Sequence, residues 1–272
     1  LSKLNSRLAQ YPVPVRLGCF ILALLLLWLP LALPIYWLVD DANLVTILTM
    51  VILYVEFILL LRFWGDRVHG QSHILRYYGF EITRLNGVDL LRGLATGLIT
   101  TLLLFGTEGA LGWLVWQPQS IFLIRIIIEG LVSALAVGFA EELLFRGWLF
   151  DELQRDYPPS VALWATAITF AVAHFIKPLA EIIRTLTQFP GVLMLGLLLV
   201  WAKRWRRGRL GLSMGLHAGL VWGYYIINVG QLIRYSHTVP DWVTGVNNNP
   251  LGGLIGLLFL SVLALWVRQR GA

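Results

Sequence analysis

The chain has 272 residues, 58% of them hydrophobic and only 13% charged, against about 25% charged in a typical soluble domain. That balance excludes an ordinary water-soluble enzyme. The net charge of +6 does not argue for nucleic acid, because the basic residues are spread among apolar runs rather than gathered in one patch. A single cysteine, Cys19, excludes an internal disulfide framework.

Taken in order, apolar segments fall at about 16–39, 44–63, 90–116, 121–150, 160–177, 188–202, 210–229 and 250–267. Runs of this length are what an α-helix needs to cross a bilayer. No run shows the alternation of a membrane β-strand. The expected fold is therefore all-α, a polytopic bundle of about eight transmembrane helices forming a single membrane domain over residues 1–272. The first segment follows Lys3, Arg7 and Arg16 in the manner of a signal peptide, but it is too long for one and shows no clear cleavage site, so a retained helix is expected. Of the 21 Lys and Arg, all but Arg125, Lys177, Arg184 and Arg234 fall on one set of alternate connections. By the positive-inside rule both termini are expected in the cytoplasm. The longest polar stretch, about 64–89, reads as a cytoplasmic loop.

Within the fourth segment, Ala140-Glu141-Glu142-Leu143-Leu144-Phe145-Arg146 places three charges beside nearly pure hydrocarbon. Each charge at bilayer depth costs about 2.5–3.5 kcal/mol on insertion scales. Glu142 and Arg146 are four apart on a helix, acid first, and can neutralise one another. Glu141 is turned about 100° away and is left without a partner in its own helix. A helical hairpin turning at Tyr157-Pro158-Pro159 would put His174, the one histidine of the fifth segment, level with Glu141. His217 lies in the seventh segment, where Gly211, Gly215 and Gly219 recur every four residues and permit close packing on a neighbouring helix.

A buried acid with two imidazoles suits hydrolysis. Glu141 can take a proton from water, His174 can orient that water, and His217 can donate to the oxyanion formed at a carbonyl. The same three residues, Glu141, His174 and His217, match a catalytic zinc set, and spacing alone leaves both mechanisms open. Weaker candidates are Ser213 within Gly-Leu-Ser-Met-Gly, four residues before His217, and His69 with His73 in a loop expected to be solvated. His237 is expected to be solvated, Arg125 and Glu129 to pair, and Glu56 or Glu108 to be able to line the site. The basic run Lys203 to Arg209 is expected to fix topology and touch anionic head groups.

At these residues the sequence resembles the CAAX-protease and bacteriocin-processing (CPBP, or Abi) family of intramembrane peptidases, over about residues 125–230. The family's EExxxR is Glu141-Glu142 to Arg146, and its FxxxH is Phe170 to His174. Its HxxxN/D begins at His217, but Val221 stands at the Asn or Asp position. The resemblance implies an endopeptidase acting on a membrane-associated or prenylated protein or leader peptide, with the bilayer as its other partner. It implies water activation by Glu141 with His174, an architectural pair of Glu142 and Arg146, and His217 as oxyanion donor. A glutamate-activated water without cofactor is favoured, with zinc as the other family mechanism. A bacterial plasma membrane is expected, with the site facing the cytoplasm. Val221 keeps a non-catalytic scaffold or immunity protein open, and the buried acid a proton-coupled transporter.

Overall fold

A computed structural model describes residues 7–118 and 122–271. Lys3 and the first residue of the fourth apolar segment, at 121, lie outside the described residues. Each of the eight apolar segments carries a helix over most of its length, and helices dominate the described residues. Helix α1 is Val13–Leu38 and runs on through Pro30 and Pro34. Helix α2, Ala42–Arg67, begins at Asp41, whose side chain accepts a hydrogen bond from Leu44 N at 2.7 Å. A short α3, Ile74–Tyr77, crosses the expected loop, and α4 is Arg84–Ala110. Helix α5, Leu123–Glu141, continues without a break into a π-helical stretch, Glu142–Leu149, and then α6, Phe150–Asp156. Tyr157 is extended and α7, Pro159–Ala173, starts at once, so the chain turns where the tyrosine and prolines predict. Then come α8, Leu179–Thr185, α9, Phe189–Trp205, α10, Gly211–Val229, α11, Asp241–Thr244, and α12, Leu254–Arg270.

Among the described residues, five helices are long and apolar enough to cross a membrane: Val13–Leu38, Ala42–Arg67, Arg84–Ala110, the 34-residue Leu123–Asp156, and Leu179–Trp205. A 26-residue helix is about 39 Å long, more than the hydrocarbon core requires. Their outward faces carry exposed Leu26, Ile47, Leu59 and Ile128, side chains that a bilayer would cover. Two departures from the expected segments have local causes. The third segment stops at Ala110 rather than 116, because Leu114–Trp116 forms β1, paired antiparallel with β2, Ile233–Tyr235. The fifth stops at Ala173 rather than 177, just before His174.

The glycine repeat of α10 is used as expected, and the partner is α4. A Cβ on Gly215 would lie 2.1 Å from Leu90 O, and one on Gly219 would lie 2.3 Å from Leu94 O. Gly93 and Gly97 of α4 answer them, so the two backbones touch. That face being spent on α4, His217 points from α10 toward α5.

Charged residues at the other end tie α1 and α2 to the same long helix. Glu152, fully buried, accepts from Arg16 Nε at 2.8 Å and Trp64 Nε1 at 3.0 Å, and meets His69 Nε2 at 2.6 Å. Asp156 accepts from Val13 N at 2.7 Å. His69 is thus bonded inside the protein, not solvated, because Glu152 supplies a partner from a distant helix; His73 stays exposed. Three residues of the basic run that spans the end of α9 are likewise used internally. Arg206 and Arg209 pair with Asp89 at 3.1 and 2.9 Å, and Lys203 donates to Arg146 O at 2.6 Å.

Candidate functional site

The π-helical stretch sets the site. A π turn shifts backbone carbonyls out of the α ladder, and such turns occur often at functional sites. Two carbonyls of this stretch take side-chain donors from neighbouring helices: Phe145 O from Thr166 Oγ1 at 3.1 Å, and Arg146 O from Lys203 Nζ. Neither Thr166 nor Lys203 belongs to a motif; nothing in the sequence marks Thr166, and Lys203 stands out only as the start of the basic run.

Glu142 and Arg146 pair as expected, Oε1 to Nη1 at 2.9 Å, with both side chains fully buried. Arg146 also donates to Gly196 O at 3.1 Å and lies 4.1 Å over the ring of Phe170. The phenylalanine of FxxxH is therefore a platform for the guanidinium. Its own carbonyl accepts from His174 Nδ1 at 2.8 Å. A carbonyl can only accept, so His174 carries its proton on Nδ1 and presents a bare Nε2 when neutral.

Glu142 does more than neutralise Arg146. Its Oε1 also accepts from His217 Nδ1 at 3.0 Å. The second nitrogen of each histidine turns to the orphan acid: His174 Nε2 and His217 Nε2 both lie 3.8 Å from Glu141 Oε2. The three residues carried by different segments thus converge. Among the described residues Glu141 Oε2 is buried and has no hydrogen-bond partner. His217 is almost wholly enclosed, whereas His174 and Glu141 keep 36% and 29% of their side-chain surface open, so one side of the cluster is reachable.

Glu141 also lines an apolar groove of about 510 Å³ between α1, α2 and α5, with Leu24, Met50, Tyr54, Val137 and Leu144 among its walls. Val221 lies elsewhere. It lines a separate apolar cavity of about 150 Å³ among α4, α9, α10 and α12, with Thr101, Leu195 and Phe259. Neither Glu141, His174 nor His217 borders that cavity.

The donor types would suit zinc, but among the described residues no group of three or more His, Cys, Asp or Glu is arranged to hold a metal ion. Ser213 is fully buried and its hydroxyl donates to Leu210 O at 3.0 Å, so it is engaged with its own helix start. Glu56 and Glu108 are not walls of the groove. Glu108 instead meets Tyr235 Oη at 3.4 Å beside the β ribbon, where burial pushes the Tyr235 phenol well above its ordinary range. Arg125 and Glu129 form an exposed pair at 2.6 Å, and His237 is exposed beside Asp241.

Residues 123–223 match a family model described as type II CAAX prenyl endopeptidase, Rce1-like. The match begins at α5 and ends within α10, so it holds every residue of the cluster and leaves α1–α4 and α12 outside. No curated protein and no solved structure matches the chain.

Proposed function

We propose that this membrane protein, whose residues 123–223 match the type II CAAX prenyl endopeptidase model, hydrolyses a peptide bond with Glu141 as general base. The convergence of two imidazole nitrogens on one unpartnered glutamate oxygen is the observation that carries the reading.

In this reading a water molecule sits against Glu141 Oε2. His174 accepts a hydrogen bond from it at Nε2, its tautomer fixed by Phe170 O. Glu141 takes one proton as the water oxygen bonds to the carbonyl carbon. His217 then stabilises the oxyanion. Because its Nδ1 proton is committed to Glu142, Nε2 donates only when the ring is doubly protonated, and the Glu142 carboxylate compensates that cation. The carbon–nitrogen bond breaks, and Glu141 returns its proton to the leaving amine. All the proton transfers run through side chains of this chain, so glutamate-activated water is the mechanism we favour over a zinc one.

The substrate is a protein or peptide at the bilayer, approached from the open side of Glu141 and His174. We further propose that α7, α10 and α12 complete an eight-helix bundle with both termini and the site on the cytoplasmic side. The distribution of the 21 basic residues supports this.

The test is cleavage of an internally quenched farnesylated peptide ending in a CAAX sequence, and of its unprenylated counterpart, by the purified protein in liposomes. The wild type is expected to cleave and Glu141→Ala to be inactive. Cleavage of neither peptide by the wild type, or undiminished cleavage by Glu141→Ala, overturns the proposal.

A further inference from the structure

The groove that receives Glu141 contains a second polar group, and no motif includes it. Twelve residues line the groove, and ten of them are apolar; the other two are Glu141 and Tyr54. Tyr54 lies near the middle of α2, outside the segment that matches the family. Its ring is held edge-on against Phe139 of α5, with centroids 5.5 Å apart, and close to Phe57. The hydroxyl is buried and, among the described residues, has no hydrogen-bond partner.

A buried hydroxyl without a partner is costly and calls for an explanation. Tyr54 Oη and Glu141 Oε2 are both in that state, and they share one groove. One is a donor and the other an acceptor. A hydrated peptide carbonyl offers the complement of both, because its oxygen accepts while the attacking water donates. The position from which the resemblance would draw a further oxyanion donor is Val221, an apolar residue facing another cavity.

We infer that Tyr54 is a catalytic residue of this protein, its hydroxyl donating a hydrogen bond to the carbonyl oxygen of the scissile peptide and to the oxyanion that forms from it. This rests on the proposed hydrolysis at Glu141. With His217 it gives the oxyanion two donors, one carried by α2 and one by α10. The phenol donates only a hydrogen bond and forms no covalent bond. The ten apolar walls exclude water from that bond, which strengthens it.

Tyr54→Phe removes the hydroxyl and leaves the ring packing on Phe139. With the farnesylated quenched peptide in liposomes, kcat is expected to fall by about 10²–10³ while KM changes little. The melting temperature is expected to stay level or rise, since an unpartnered buried hydroxyl is lost. An unchanged kcat overturns the inference. So does a fall in kcat accompanied by an equal loss of melting temperature in Tyr54→Phe, which would mark a structural hydroxyl. Glu141→Ala is measured alongside. If that variant is inactive and Tyr54→Phe is fully active, the role of Tyr54 fails alone; if Glu141→Ala remains active, the hydrolytic reading fails and takes Tyr54 with it.

Discussion

His217 sits between two adjacent glutamates, with Nδ1 3.0 Å from Glu142 Oε1 and Nε2 3.8 Å from Glu141 Oε2. Neighbouring residues of one helix thus address the two nitrogens of one ring. The π-helical turn that begins at Glu142 is where this happens, and the arrangement divides labour between the acids. Glu142, dry and doubly engaged, fixes the ring. Glu141, partly open and with its Oε2 unpartnered among the described residues, is the acid to which the proposed water activation is assigned.

Glu142→Gln is therefore expected to cost both stability and cleavage. It leaves Arg146 buried without its counter-charge, a loss of about 3–5 kcal/mol for such pairs. The double variant Glu142→Leu with Arg146→Met is expected to regain most of that stability, because an apolar pair of similar volume replaces the ions. Cleavage should nevertheless stay at least about tenfold down, since His217 has lost the group that orients it. Thermal melts and peptide cleavage on the two variants check this. Recovery of full cleavage in the double variant would reduce Glu142 to a counter-ion.

Val221→Asn is expected not to raise cleavage. The side chain would enter an apolar cavity that none of Glu141, His174 and His217 borders, and the buried amide would cost about 1–3 kcal/mol. A melt and a kcat measurement test both halves. A tenfold gain in kcat would instead return position 221 to the site.

Gly215→Ala is expected to disrupt the fold. The new methyl would meet the backbone oxygen of Leu90 at 2.1 Å, so α4 and α10 must part and His217 moves with α10. Loss of folded protein from detergent, read by size-exclusion chromatography, is the expected result. Gly106→Ala is the control: nothing lies within 4 Å of a Cβ there, and the fold should be retained.

Ser213→Ala is expected to retain near-wild-type cleavage, because the hydroxyl is spent on Leu210 O. Treatment of the protein with a zinc chelator, followed by a cleavage assay, is expected to leave the rate unchanged under the glutamate mechanism. A rate abolished by the chelator and restored by added zinc would move the chemistry to a metal. A rate abolished in Ser213→Ala, with the melting temperature intact, would move it to the serine.

Much of this candidate cluster was legible in the residues. Charges in hydrocarbon are expensive, so Glu141, Glu142 and Arg146 stand out from the run that precedes them. The proline turn then fixes which histidine can lie at their depth, and Glu141 and His174 do meet. The glycine spacing announced a close helix contact for α10 but not that α4 would supply it. Local rules do not reach Tyr54, Thr166 or Lys203. Each is an ordinary residue of an apolar or basic stretch until another helix brings it a neighbour. His69 misled for the same reason, since its partner Glu152 is remote in the chain.

The amino-acid order by itself determined that the chain is a bundle of apolar helices, where the hairpin turns, and which charged groups needed explaining. These follow from the cost of exposing backbone and charge to hydrocarbon, which is paid residue by residue. Only the tertiary structure decided that Glu142 serves His217 as well as Arg146, that Val221 borders a cavity lined by none of Glu141, His174 and His217, and that a tyrosine shares the groove with Glu141. Those facts depend on how separate helices rotate and settle against one another, and that is fixed by packing across the whole bundle.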